Sequence, residues 1–180
     1  EVLVEGVGTD RTVIAGNYIG TNAAGEAKLP NNAGVTVRWG PKNTRIGTNS
    51  DGVADALERN VISGNNWVGI NVQTTNWDGQ LPAGGATTDG TVIAGNWIGL
   101  SASGLPLGNA STGIYLHDRP TNTRVGTNGD GVRDALERNV ISGNGYDGVQ
   151  AEGWSYVSLN EVDRFFAGAV PATTATATVT

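Results

Sequence analysis

The heptapeptide Arg59-Asn60-Val61-Ile62-Ser63-Gly64-Asn65 recurs further along the chain as Arg138-Asn139-Val140-Ile141-Ser142-Gly143-Asn144, at an offset of 79. A second stretch recurs at the same offset: Thr12-Val13-Ile14-Ala15-Gly16-Asn17 returns as Thr91-Val92-Ile93-Ala94-Gly95-Asn96. Aligned without a gap, residues 12–72 match residues 91–151 at 33 of 61 positions. Identity this high over so long a stretch indicates a duplicated unit of about 79 residues.

Each unit contains two related motifs, Val-Ile-Ala-Gly-Asn and Val-Ile-Ser-Gly-Asn, which predicts two coils of about 40 residues with loop insertions. Short runs with alternating apolar residues predict strands, for example at Val35 and Val37, Ile70 and Val72, and Ile114 and Leu116. Strands this short are stable only when coils stack. The sequence therefore predicts an all-β fold, a right-handed parallel β-helix of about four to five coils. We expect one domain over residues 1–180, with repeat units at about 12–90 and 91–160 and an extended tail at 161–180.

The repeated motifs also predict what the stacked coils share. Val13, Ile62, Val92 and Ile141 are expected to line up as aliphatic ladders inside the solenoid. Asn17, Asn65, Asn96 and Asn144 each follow a glycine, where asparagine tolerates left-handed backbone and its amide can bond a neighbouring coil. We interpret these Gly-Asn pairs as structural corners and not as active-site residues.

Two motifs resemble those of a known group. They are Asn-x-Ile-Gly, present as Asn17–Gly20 and Asn96–Gly99, and the repeated heptapeptide. They resemble the right-handed parallel β-helix repeat proteins of bacterial surfaces, in the pectate-lyase-like solenoid class. The resemblance covers roughly residues 1–155, and it implies the fold but says little about activity.

Composition narrows the class of protein. Eleven Lys and Arg stand against 17 Asp and Glu, for a net charge of −6, and the basic residues are scattered, which argues against nucleic acid as a partner. No apolar run approaches the roughly 18 residues of a membrane span. The chain has no cysteine and begins at Glu1, and we expect a processed piece of a longer precursor that is secreted or displayed on the cell surface.

One segment has the residue types of a calcium site. Loops of the EF-hand type place oxygen ligands at positions 1, 3, 5, 7, 9 and 12, with glycine at 6. Counted from Gly47, and from Gly126 in the second copy, the spacing fits everywhere except position 1. The loops resemble the calcium loops of dockerins and thrombospondin type 3 repeats, with Gly where those have Asp. The predicted metal ligands are Asn49, Asp51, Asp55, Glu58, Asn128, Asp130, Asp134 and Glu137.

A structural interpretation of the same loop stays open. Asp55 with Glu58 three residues later fits a capping box, with Asp55–Arg59 as one exposed helical turn. Whichever applies, residues 43–65 match their copy at 20 of 23 positions, whereas residues 26–42 match at only 2 of 17. The loop has been retained while its neighbour diverged.

A second surface could carry chemistry. His117, Asp118 and Arg119 are adjacent, and pectin-degrading β-helix enzymes use such residues on one face. No nucleophile or paired-carboxylate motif accompanies them, so we expect a solvated turn and assign no catalytic residue. The aromatic residues are expected to pack at corners or to line a sugar-binding groove, and residues 74–90 are expected to form a long surface loop. These aromatic residues are Tyr18, Trp39, Trp67, Trp77, Trp97, Tyr115, Tyr146 and Trp154.

The first hypothesis is a non-enzymatic extracellular structural module: a stalk, an adhesin segment or a subunit of an end-to-end filament, stabilised by calcium. Its partners would be stacked copies of itself or a flanking solenoid, because neither end has an obvious cap. The alternative is a β-helix that binds or degrades polysaccharide.

Overall fold

The computed structural model describes residues 1–75 and 79–152 together with the strand at residues 157–160. Fourteen short strands in these residues form three sheets in which neighbouring strands are parallel. Sheet 1 contains β1 (Val2–Glu5), β4 (Val35–Arg38), β7 (Ile70–Gln73), β10 (Ile114–His117) and β13 (Val149–Ala151). Sheet 2 contains β2 (Val13–Ile14), β5 (Arg45–Gly47), β8 (Val92–Ala94), β11 (Thr123–Gly126) and β14 (Val157–Asn160). Sheet 3 contains β3 (Tyr18–Ile19), β6 (Val61–Ile62), β9 (Trp97–Ile98) and β12 (Val140–Ile141).

The chain visits the three sheets in turn, so each circuit adds one strand to every sheet. Val35 pairs with Ile70, and Ile70 pairs with Ile114. Positions 35 and 114 differ by the repeat offset, and they therefore occupy equivalent places two coils apart. The described strands make four circuits and begin a fifth. The predicted parallel β-helix is confirmed, while its right-handed sense and the domain limits stay predictions.

Helical structure is confined to three short turns in the described residues. Two are 3-10 turns, at Asp55–Leu57 and Ala83–Gly85, and one is an α-helical turn at Asp134–Glu137. Within the same residues, no helix has the length and apolar character needed to cross a membrane.

The core is a column of aliphatic side chains from all three sheets. The side chains of Val35, Val37, Ile70, Val72 and Ile114 are fully buried, as the alternation of apolar residues predicted. Of the four residues predicted to line up inside the solenoid, Ile62 and Ile141 are in the core, whereas the prediction for Val13 and Val92 is wrong. Val13 is 54% exposed, and the following isoleucines, Ile14 and Ile93, enter the core instead. Adjacent residues of a strand face opposite sides, so only one residue of each Val-Ile pair can point inward.

Asparagine side chains join the coils at both ends of sheet 3. The first ladder runs from coil to coil, with each amide nitrogen donating to the side-chain oxygen of the next member at 2.8–3.0 Å; its members are Asn17, Asn60, Asn96 and Asn139. The second ladder joins Asn31, Asn65, Asn109 and Asn144. The four asparagines predicted as corners are confirmed in that role, and the ladders contain four more.

The tight corner at Gly95 shows why the repeat keeps glycine before asparagine. Gly95 has φ 72°, and a Cβ there would lie 2.7 Å from the carbonyl oxygen of Leu136 and 2.7 Å from Thr48 Cγ2. Coils on both sides close over this corner, and no side chain fits between them.

Replacing Asn96 by alanine tests the ladder. Its Oδ1 accepts from the Asn60 amide at 2.8 Å, and its Nδ2 donates to the Ile46 carbonyl at 2.9 Å and to Asn139. Asn96→Ala strands several buried polar groups, each worth about 1–3 kcal/mol, and we expect a loss of roughly 3 kcal/mol or more in urea denaturation. The control Asn17→Ala, at the exposed end of the same ladder, should cost less than half as much. Equal losses would contradict the ladder as a stabilising element.

Candidate functional sites

The first Asp-rich loop, residues 47–58, is closed by bonds between its own side chains and backbone. Asn49 Oδ1 accepts from the Asp51 N–H at 3.2 Å, and Asp51 Oδ1 accepts from the Val53 N–H at 2.8 Å. The Asn49 amide donates to the other Asp51 oxygen at 2.8 Å. The Val53 N–H and the Asn49 amide together lower the pKa of Asp51 below its ordinary value.

Of the two remaining acidic side chains, Asp55 closes the loop from within and Glu58 fastens it to the solenoid. Asp55 is buried and accepts from the Gly52 N–H at 3.0 Å and the Thr48 hydroxyl at 3.3 Å. Glu58 accepts from the Asn49 N–H at 2.9 Å and pairs with Arg45 at 3.1 Å. The expected capping box is wrong: no side chain caps the 3-10 turn, because Glu58 is directed to the start of the loop and not to the turn.

The second loop, residues 126–137, repeats this arrangement. Asp134 accepts from the Thr127 hydroxyl at 2.8 Å and the Gly131 N–H at 3.2 Å, and Glu137 accepts from the Asn128 N–H at 2.8 Å. Asp130 accepts from the Val132 N–H at 2.7 Å. The retained sequence therefore encodes one loop geometry, formed twice.

The two loops also bind each other across two coils. Arg133 of the second loop reaches Asp55 of the first at 3.6 Å, and the Ser50 hydroxyl donates to the Arg133 carbonyl at 3.4 Å. A Cβ on Gly52 would collide with this guanidinium. Ala54 occupies the position equivalent to Arg133 in the first loop. Because alanine has no guanidinium group, the first loop cannot make the same contact.

The arrangement bears on the predicted calcium ligands. Every one of the eight side chains already accepts at least one hydrogen bond within its own loop. Among the residues that the structure describes, no three acidic or histidine side chains are grouped as a metal site. The residues predicted as ligands thus point at N–H and hydroxyl donors of their own loops and do not converge on a common point. Calcium binding would require several of these bonds to be exchanged.

A cleft of about 830 Å³ lies on the outer side of sheet 1, near its last described coils. Its lining includes Tyr115, His117, Asp118, Arg119 and Glu152, together with Leu81 of the segment 79–90. Its volume falls within the roughly 300–1,000 Å³ typical of ligand sites. The predicted solvated turn at His117 is therefore one wall of a concave site.

The segment 79–90 is a surface loop, as predicted, with a buried anchor at Thr88. Thr88 is buried, donates its hydroxyl to the Gln73 carbonyl at 2.6 Å, and accepts from the Gly40 N–H at 3.2 Å. Trp39 donates to the Thr75 carbonyl at 3.1 Å, just after β7. Thr88 thus fixes its end of the segment to Gly40 of the second coil, and Leu81 is among the residues that line the cleft.

No protein-family model, curated protein or solved structure matches this chain. The resemblance to β-helix repeat proteins and to dockerin loops therefore rests on the sequence motifs alone.

The predicted aromatic residues have several environments. Tyr115 stacks on His117 with ring centres 4.3 Å apart and meets the edge of Trp67 at 6.2 Å. Arg38 lies over Trp39 and Arg59 over Trp97, at 4.2 and 4.7 Å from the ring centres. Tyr18 and Tyr146 are exposed. Trp77 and Trp154 lie outside the described residues.

Tyr115 and Glu152 form a short polar contact in the cleft. The Tyr115 hydroxyl donates to Glu152 Oε2 at 2.6 Å. Burial, and then this hydrogen bond and the negative charge of Glu152, raise the pKa of Tyr115 to about 12 from an ordinary 10.0. The folded state therefore favours the neutral phenol.

This shift makes a prediction for alkaline pH. Because the pKa is raised in the folded state, the stabilisation is complete below pH 10 and is lost as the pH rises from 10 toward about 12. Tyr115→Phe should remove this part of the pH dependence in chemical denaturation. Glu152→Gln should lower the pKa of Tyr115 in a tyrosinate absorbance titration. An unchanged titration in Glu152→Gln would contradict the contact.

Proposed function

We propose that this chain is a non-enzymatic, extracellular structural β-solenoid module, acting as a stalk, an adhesin segment or a subunit that stacks end to end into a filament. The supporting observation is that the contacts between its coils are aligned with the solenoid axis. Sheet pairing, both asparagine ladders and the contact from Arg133 to Asp55 all run along the solenoid axis. A solenoid whose retained features join coil to coil resists bending and extension.

The first coil has a strand edge that suits stacking. The Val2 N–H donates to the carbonyl of Gly34, just before β4, at 2.9 Å, and the Gly6 N–H donates to the carbonyl of Arg38 in β4 at 3.1 Å. Amides of successive strand residues point to opposite sides, so the Leu3 N–H is directed away from the sheet, and its side chain is 51% exposed. The outer edge of β1 can therefore accept another parallel strand, from a second copy or from a preceding coil of a longer chain.

Sedimentation velocity over a concentration series tests self-stacking. We expect the average mass of the wild-type chain to rise with concentration. Leu3→Pro removes the outward N–H while leaving the bonds to β4, and it should hold the chain as a monomer with an unchanged circular dichroism spectrum. Leu3→Ala is the matched control and should still associate. A wild-type chain that stays monomeric at the highest concentration would reject the filament and leave the stalk or adhesin segment.

Calcium enters the proposal as a weak stabiliser of the two Asp-rich loops. Their oxygen spacing supports it, and the missing carboxylate at position 1 places the expected affinity in the millimolar range of extracellular modules. The residues that would hold the ion are the eight named from the sequence.

Thermal melting with calcium and with chelator tests this part. We expect calcium to raise the melting temperature by a few degrees, because binding to the folded state alone stabilises it. The double variant Asp51→Ala plus Asp130→Ala should lose the response. The control is Asp10→Ala, outside both loops, which should keep it. Identical melting of the wild-type chain in both conditions would leave hydrogen bonding as the sole role of the loops.

A second candidate function is favoured by the cleft on sheet 1. Its aromatic rings, carboxylates and arginine are the groups that hold sugar rings and hydroxyls. On this proposal the solenoid would also bind polysaccharide along its outer face.

A further inference from the structure

The backbone at Asp118 and Arg119 is strained at the edge of the cleft. The two residues have φ 56° and 66°, in the left-handed region that side chains seldom adopt. Their equivalents in the first copy are Trp39 and Gly40, so an arginine stands where the duplicate has glycine. Trp39 and Gly40 also have positive φ, 67° and 103°, so the corner conformation is common to both copies, and the arginine in place of glycine is what distinguishes the second.

Two bonds from the residue after β7 enforce this conformation. The Thr74 N–H donates to the Asp118 carbonyl at 3.1 Å, and the Thr74 hydroxyl donates to the Arg119 carbonyl at 2.9 Å. Thr74 is itself fully buried. The backbone of this segment is thereby fixed, and Asp118 and Arg119 both line the cleft.

A chain of buried amides orients His117. Gln73 donates to the Thr75 carbonyl at 2.8 Å, which turns its oxygen toward the Asn71 amide, also at 2.8 Å. The Asn71 oxygen then faces His117 Nε2 at 3.0 Å, and Asp118 lies 2.8 Å from Nδ1. Because a backbone carbonyl starts this chain, the direction of every amide in it is set. The imidazole thus has a polar contact at each ring nitrogen and stacks on Tyr115.

The cleft continues into a second depression along the same sheet. This depression, of about 380 Å³, shares Tyr115 with the first and is also lined by Trp67, Tyr146 and Gln150. Tyr146 is 78% exposed, so its ring is available for contact. Together the two depressions form an elongated surface over the last coils of sheet 1, with aromatic rings, hydroxyl groups and amides along it.

The charges of this surface select against an acidic ligand. Asp118 and Glu152 in the cleft, and Asp147 in the depression, face a single arginine, on a chain whose net charge is −6. A polyanion would be repelled, whereas hydroxyl groups can donate to the carboxylates and accept from Arg119. We propose that this surface, from Tyr146 to Arg119, binds an extended chain of neutral sugars. The proposal rests on the second candidate function and narrows it to uncharged polysaccharide.

Titration calorimetry with three hexasaccharides of equal length tests the proposal: cellohexaose, mannohexaose and hexagalacturonate. We expect one of the two neutral probes to bind and hexagalacturonate not to bind at moderate salt. Arg119→Gly installs the residue of the first copy, so its melting temperature should be unchanged or higher while binding falls about tenfold. Tyr146→Ala should weaken binding about fivefold.

Tyr18→Ala is the matched control, because Tyr18 is also an exposed tyrosine but lies on sheet 3. It should bind as the wild-type chain does. If hexagalacturonate binds more tightly than both neutral hexasaccharides, the proposal of a neutral ligand is wrong, while polysaccharide binding itself is supported. If none of the three hexasaccharides binds, both the neutral-sugar proposal and the second candidate function are wrong. If Arg119→Gly binds as tightly as the wild-type chain, the sugar does not bind at this surface.

Discussion

Asparagine side chains at the corners of sheet 3 satisfy backbone groups that no strand could satisfy. Where the chain leaves one sheet for the next, the corner N–H cannot join a strand ladder, and Asn60, Asn65 and Asn96 at these positions are buried. The Oδ1 of an asparagine one coil further on accepts from it, as Asn139 does from the Asn96 N–H at 3.0 Å. A buried N–H group that stays unpaired destabilises the fold. Because the asparagines pair these groups at the corners, the strands between the corners can be very short.

The same corners accommodate connections of very different length. Coils with the tight Ala-Gly-Asn corner alternate with coils that carry an Asp-rich loop, and the glycine of the tight corner lets the loops on either side approach. The loops supply donors for their own carboxylates, and Arg45 or Arg124 together with backbone bonds to Gly16, Ala94 and Gly95 of the adjoining coils anchors them to the solenoid. Within the described residues the Asp-rich loops follow sheet 2, and the cleft forms on the outer face of sheet 1, away from them.

Much of this could be predicted from the sequence, and the failures have identifiable causes. Asn31 and Asn109 were missed because their offset is 78, and an alignment without gaps at an offset of 79 does not pair them. Two compensating one-residue gaps in the diverged segment, one in each copy, would pair them, because the offset is 79 at Gly25 and Gly104 and again at Gly34 and Gly113. The capping box failed because Asp and Glu three residues apart fit several local geometries, and only the position of the Asn49 N–H decides which one forms.

The sequence by itself determined the parallel β-helix, the coil repeat, the alternation of the core and the glycine corners, because each of these depends on residues close in the chain or on an exact repeat. Tertiary structure alone decided the rest. Arg133 meets Asp55, and Tyr115 meets Glu152, only because stacking brings different coils within reach of one another. Which side chains share a face, and which carboxylates already have donors, depends on coil register and loop direction, and these are properties of the packed solenoid and not of any local pattern.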